Sequence, residues 1–296
     1  MNFKSGIFSR WAERRVPPHS MAILRILLGM WLLIHWGLKT PAIPMLFSDQ
    51  GLALPYFLPT GIGAIDIFLI PPSVTVAYAV FTLLMVALAM VTIGMRMRAG
   101  ILMTLGIYAY FWNIGLHPFF MTFERLFVFI LLVLLCSGAD RTFSLRMLLH
   151  KGSVFAWQPI HILPQRLIAL QLSATYLGVG WEKMALPDWQ HGEILTHALT
   201  GRWATPLAFT VAQTNLPLPF YDRALFLLKF FQFLLPFGLW IRRYQWLFFF
   251  GGALFHITIA VLISMWWFLI MVPAYITFLE PEAVYRFLKK TAPSIP

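Results

Sequence analysis

The chain has 296 residues, a formal net charge of +11, 60% hydrophobic residues and only 11% charged ones. Soluble domains carry about 25% charged residues, so the composition excludes an ordinary soluble enzyme and predicts a membrane protein whose length counts spans. The lone Cys136 excludes an intramolecular disulfide and any multi-cysteine metal site.

Residues 1–20, MNFKSGIFSRWAERRVPPHS, are too polar for the apolar region of a cleavable signal peptide. Phe3, Ile7, Phe8 and Trp11 alternate with Lys4, Arg10, Arg14 and Arg15. That pattern predicts a short basic amphipathic helix lying on an anionic leaflet, against the simpler reading of a basic tail. Apolar runs then predict helices over 21–39, 73–94, 100–116, 121–137, 164–186, 224–241, 246–263 and 266–279. Trp246 to Leu279 is one nearly continuous apolar run of 34 residues, about 51 Å as a helix. A break near Ser264 and a single kinked helix both fit that length.

The basic residues set the orientation. With the N-terminus in the cytoplasm, the inner segments hold Lys4, Arg10, Arg14 and Arg15, then Arg96 and Arg98, then Arg141, Arg146, Lys151 and Arg166, then Arg242 and Arg243, and finally Arg286, Lys289 and Lys290. This positive-inside bias also explains the net charge, so no nucleic-acid partner is expected. The expectation is an all-α protein, a polytopic transmembrane helix bundle with about eight crossings and both termini cytoplasmic. Its parts are a basic amphipathic segment at 1–20, a transmembrane domain at 21–285 and a basic tail at 286–296. Two long loops, 40–72 and 187–223, then face outward, and Lys183 lies near the outer face of a lipid bilayer, expected to be a bacterial inner (plasma) membrane. No internal repeat and no glycine-rich phosphate loop is visible, which disfavours a transporter built from inverted halves and nucleotide use.

Several polar residues fall within apolar segments, where each needs a partner or a wet cavity. Arg25 lies mid-helix, Glu124 and Arg125 open the helix at 121–137, Lys229 and Gln232 share another, and His256 sits in GGALFHITIAV. Structural pairing, headgroup contact, snorkelling and a satisfied hydrogen bond are the bland readings of these groups. Lys183, in YLGVGWEKMALPDWQHG, is either a helix-end anchor or a chemical group. Around it stand Glu182, Trp189, His191 and Glu193, with Gly178 and Gly180 small enough for close helix approach. A lysine in an apolar pocket gives up its proton readily and can act as a base. The histidine spacings, His191 and His197 in one loop with His117 and His161 elsewhere, predict no metal site.

Three motifs in this order resemble the HTTM (horizontally transferred transmembrane) family, to which the vitamin K-dependent gamma-carboxylases belong. They are ILRILLGMWLLIH with Arg25 and Gly29; Tyr176-x-Gly178-x-x-x-x-Lys183 followed by Asp188-Trp189-x-x-Gly192; and His256 with Phe268 downstream. The resemblance implies an integral membrane enzyme, a carboxylase-like carbon–carbon lyase. In it Lys183 is the base that deprotonates reduced vitamin K or another lipophilic quinol, and His256 helps shape the quinol pocket. It makes Arg141, Tyr176, Glu182, Trp189 and Gln232 candidate substrate-binding residues, and a secreted peptide a candidate substrate. The chain departs from the carboxylase pattern where Asp140 and Arg141 replace an Asn-His pair, Arg146 replaces an Asp, and Gln232 stands where many members carry an acid. A guanidinium cannot perform the proton transfer of a histidine. The sequence also continues only briefly past the last apolar run, whereas the eukaryotic carboxylases add a large extramembrane domain, so carboxylation of a propeptide-bearing protein is not expected. Alternatives are a non-catalytic membrane factor for maturation, export or immunity of a secreted peptide, and a small-molecule transporter.

Overall fold

The computed structural model describes residues 11–53, 70–116 and 122–291. The predicted amphipathic helix through Phe3, Ile7 and Phe8, residues 54–69 of the loop 40–72, His117 and the last five residues of the basic tail lie outside them. The chain forms two compact units, residues 1–164 with 280–296 and residues 165–279.

The first unit opens with strand β1 (Arg15–Val16), which pairs antiparallel with β2 (Ile160–His161), Arg15 opposite His161. Between them run α1 (His19–Gly37), the short α2 (Ile43–Phe47), α3 (Val74–Ile93), α4 (Met97–Phe111), α5 (Thr122–Ser137) and α6 (Leu145–Lys151). A π-helical turn, Trp112–Leu116, extends α4. The first-helix motif explains the packing of α1 on α3. A Cβ on Gly29 would lie 2.2 Å from Thr92 Oγ1, so only glycine permits this approach. One turn earlier, the fully buried Arg25 donates to the carbonyls of Val91 at 2.8 Å, Phe143 at 2.7 Å and Ala139 at 3.2 Å, and also to that of Thr92. The last carbonyls of a helix have no partner within it, and the guanidinium serves two of those of α3, Val91 and Thr92. Arg25 is therefore a structural staple, as its bland reading expects, although its partners are backbone carbonyls rather than an acid.

The segment ADRTFSLR builds the turn below this staple. Asp140 forms an ion pair with Arg146 at 2.6 Å. The Ser144 hydroxyl accepts from the Met147 N–H and caps α6. Helix α13 (Pro281–Thr291) completes the unit by packing on α1. His19 meets Tyr285 at a ring distance of 5.0 Å, and Arg14 pairs with Glu280 at 2.7 Å.

The second unit contains α7 (Leu163–Ala185), α8 (Glu193–Thr200), α9 (Pro206–Ala212), α10 (Leu218–Trp240), α11 (Gln245–Ile263) and α12 (Met271–Ala274). The stretch 187–223, expected as a loop, is mostly helical: a 3-10 turn at Pro187–Trp189, then α8, α9 and the first turn of α10. Leu199, Ala208 and Tyr221 give it a small core, and Thr205 ties it to the end of α11 through the carbonyls of Val261 and Leu262. The long apolar run breaks at Ser264, whose φ of 53° is left-handed. Beyond it the expected helix 266–279 is found as a single helical stretch, Trp266–Phe278, wound as a 3-10 turn Trp266–Ile270, then α12, then a 3-10 turn Tyr275–Phe278. Pro273 inside this stretch lacks the N–H that a continuous ladder needs.

Among the described residues, four helices are long and apolar enough to cross a membrane: α1, α3, α10 and α11. Trp266–Phe278 and α13 would add a fifth span only as a pair bent by 100°. Helix α7 has the length, yet it carries Gln165, Arg166, Gln171, Glu182 and Lys183. The protein is an integral membrane protein built from apolar helices.

Candidate functional site

Tyr176, Gly180 and Lys183 recur along α7 at spacings of four and three and therefore share one face. Gly180 is buried, and a Cβ there would rest 3.4 Å from the backbone of Phe233 on α10, an ordinary contact. Gly178 differs: a Cβ on it would meet nothing within 4 Å. The expected close helix approach thus belongs to Gly180 and not to Gly178, which points off the packed face.

Lys183 is half-buried. Its Nζ donates to Gln232 Oε1 at 2.8 Å and lies 4.4 Å from the centre of the Trp189 ring. Among the described residues no carboxylate pairs with it. Glu182, its chain neighbour, is exposed and does not join the cluster. A 100° step per residue turns Glu182 away from the face that Lys183 occupies. His191 and Glu193 are also exposed, and among the described residues no group of three or more His, Cys, Asp or Glu is placed to hold a metal ion.

A second cluster lies on the same face of α7. The buried Tyr176 hydroxyl is 2.6 Å from His256 Nε2 and 2.5 Å from the Tyr275 hydroxyl. His256 is buried on α11, with its ring stacked on Phe268 at 6.3 Å. Gly252, one turn before His256, leaves room for Tyr275, since a Cβ would sit 2.7 Å from that hydroxyl. His256 Nδ1 is buried and has no hydrogen-bond partner among the described residues. Two proton arrangements satisfy the chain of three groups. Either Tyr275 donates to Tyr176 and Tyr176 to Nε2, or Nε2–H donates to Tyr176 and Tyr176 to Tyr275. The first leaves a donor at Nδ1 and the second an acceptor. His256 and Lys183 lie within electrostatic reach of each other.

The motif after Lys183 now has a physical account. Trp189 supplies the ring over the amine. Gly192 donates its N–H to Asp222 Oδ1 at 2.7 Å, and a Cβ there would lie 2.4 Å from the Tyr221 carbonyl carbon. Of the remaining candidates, Arg141 belongs to the first unit, where Nη1 donates to the Pro159 carbonyl at 3.0 Å. Tyr275 and Asp222, which the sequence does not mark, complete the second unit's network together with Lys229, which the sequence marks only as a costly polar group in need of a partner. The spacing of Asp222, Lys229 and Gln232 on one helix was the available signal for two of them, and nothing local marks Tyr275. Between α10 and α11 lies an apolar cavity of about 420 Å³, walled by Leu227, Phe230, Phe231, Leu234, Phe248 and Gly251 among others.

The family model of the HTTM domain matches residues 13–282. The chain belongs to the HTTM family. No curated protein and no solved structure matches it significantly. In this HTTM protein the match covers both units, so the Arg25–Gly29 staple, the Lys183–Trp189 pair and the His256 cluster all fall within the family domain.

Proposed function

We propose that this HTTM protein is a membrane enzyme in which Lys183 acts as a general base on a lipophilic quinol, in the manner of the related vitamin K-dependent gamma-carboxylases. The observation that carries the reading is the neutral partner of Lys183. Gln232 Oε1 accepts from the amine at 2.8 Å without the fixed negative charge that would hold it as an ammonium. An amide oxygen can accept from either protonation state, whereas a carboxylate favours the charged one. With Nζ neutral, its lone pair accepts a proton from a substrate hydroxyl, and the Gln232 bond keeps the amine in place through the transfer. His256 Nδ1 offers a second polar contact to the same ligand, since a buried polar atom without a partner marks a position for a ligand or water. Tyr176 and Trp189 serve binding by holding His256 and by covering the amine. By the family resemblance the acceptor of the chemistry is a secreted peptide, and Arg141 and Glu182, which stand apart from the Lys183 cluster, take no part.

The reading extends to topology. The clustering of basic residues on alternate connections supports eight crossings with both termini in the cytoplasm. Lys183 then works near the outer face.

The test uses purified protein in lipid nanodiscs supplied with a reduced quinone, oxygen and carbon dioxide, with Lys183→Ala and Lys183→Arg as variants. Loss of a general base lowers turnover about 10²–10⁴-fold, and arginine, which stays protonated, fails as well. Retained turnover in Lys183→Ala sinks the base reading.

A further inference from the structure

We infer that Lys229 and Asp222 are positioning residues that clamp the segment 187–192 onto α10, so that the Trp189 ring covers Lys183. The consequence for catalysis rests on the reading of Lys183 as a base; the clamp itself does not. Lys229 Nζ donates to the Trp189 carbonyl at 2.7 Å, and Asp222 Oδ1 accepts from the Gly192 N–H at 2.7 Å. The two side chains are seven residues apart and so lie on one face of α10. Gln232, three residues on, extends the row and takes the hydrogen bond from Lys183. One helix face therefore holds both the amine and the loop that covers it.

The segment is fastened from its other side as well. Gln190 Nε2 donates to the carbonyls of Met184 at 2.8 Å and Leu186 at 3.0 Å, at the end of α7. Gly192 rests against the backbone of Tyr221 and Asp222 too closely for any side chain. The loop thus has one register on α10, and in that register the Trp189 ring lies 4.4 Å from the amine. Lys229 forms no ion pair among the described residues, so a cation within a long apolar helix is committed to one loop carbonyl. Snorkelling alone would direct it to water or headgroups.

The experiment reads Lys183 directly. The full-length protein in nanodiscs is treated with a water-soluble acetylating ester, and the rate of Lys183 acetylation is followed by mass spectrometry. Releasing the clamp uncovers the amine. Lys229→Met and Asp222→Ala should therefore each label about threefold to tenfold faster, the change in an opening equilibrium that loss of one hydrogen bond produces. A purely electrostatic role makes opposite predictions for the two. Without the positive charge of Lys229, Lys183 would hold its proton more firmly and label more slowly; without the negative charge of Asp222 it would label faster. Lys229→Arg and Asp222→Asn keep a donor and an acceptor and should label at the wild-type rate, which guards against misfolding as the cause. Unchanged or slower labelling in Lys229→Met overturns the clamp, as does fast labelling in both conservative variants. A Lys183 that catalyses nothing would still show the labelling pattern, so failure of the base reading is recognised separately by turnover of Lys183→Ala.

Discussion

The Tyr176 hydroxyl holds His256 Nε2 at 2.6 Å across 80 residues of sequence. The same oxygen meets the Tyr275 hydroxyl, so one phenol on α7 joins α11 to the turns after it. Tyr176→Phe removes the shared atom and leaves both His256 Nε2 and the Tyr275 hydroxyl buried and unpaired. The expected cost is about 1–3 kcal/mol for each orphaned group, read as a lower thermal midpoint in detergent. Tyr275→Phe keeps the Tyr176–His256 bond and should destabilise less. Equal midpoints for the two variants would contradict the bridging role of Tyr176.

Two glycines of the same motif should respond differently to alanine. At Gly192 the new methyl would lie 2.4 Å from the backbone of Tyr221, while at Gly178 it would meet nothing within 4 Å. Gly192→Ala must shift the segment 187–192, at about 1–3 kcal/mol as for other overpacked sites. Gly178→Ala should be neutral or stabilise α7 by up to about 1 kcal/mol through helix propensity. Thermal unfolding of the pair checks both, and Lys183 acetylation should quicken only in Gly192→Ala.

Arg25 is the staple of the first unit, and its fork geometry is essential to it. Four carbonyls from two chain segments, the end of α3 and the turn at 139–143, converge on one guanidinium. An ammonium has three donors and no planar fork, so Arg25→Lys cannot serve all four carbonyls in their present places. The variant should lose about 1–3 kcal/mol, and Arg25→Met substantially more. The yield of monodisperse protein after solubilisation should fall in that order.

The proposed topology is open to a labelling experiment. In a Cys136→Ala background, His197→Cys on the exposed face of α8 should react with a membrane-impermeant maleimide added to intact cells. Arg243→Cys should react only after the membrane is opened. The reverse pattern would invert the orientation and move Lys183 to the cytoplasmic side.

The sequence alone was enough for the class of protein and for most helix positions. Transfer of apolar side chains into lipid is local and additive, so runs such as Val74–Ile93 and Gln245–Ile263 declare themselves. The same reasoning marked Arg25, Lys183, Gln232 and His256 as costly groups that needed partners, and the family motifs singled out Trp189 and Gly192. Irregular backbone was less legible. Trp246 to Phe278 reads as one apolar run from hydropathy, yet Ser264 breaks it, and beyond the break the helix winds as 3-10, α and 3-10 in turn.

Only the tertiary structure decided which polar groups meet. Lys183 finds Gln232 across 49 residues, Lys229 finds the Trp189 carbonyl across 40, and Tyr176 finds Tyr275 across 99. Such pairings depend on helix rotation and depth, which local pattern constrains weakly. Carbonyl acceptors like those around Arg25 have no signature in sequence at all, because every residue carries one. Local chemistry therefore says that a charge in an apolar helix must be satisfied, and the packing of distant helices chooses the atom that satisfies it.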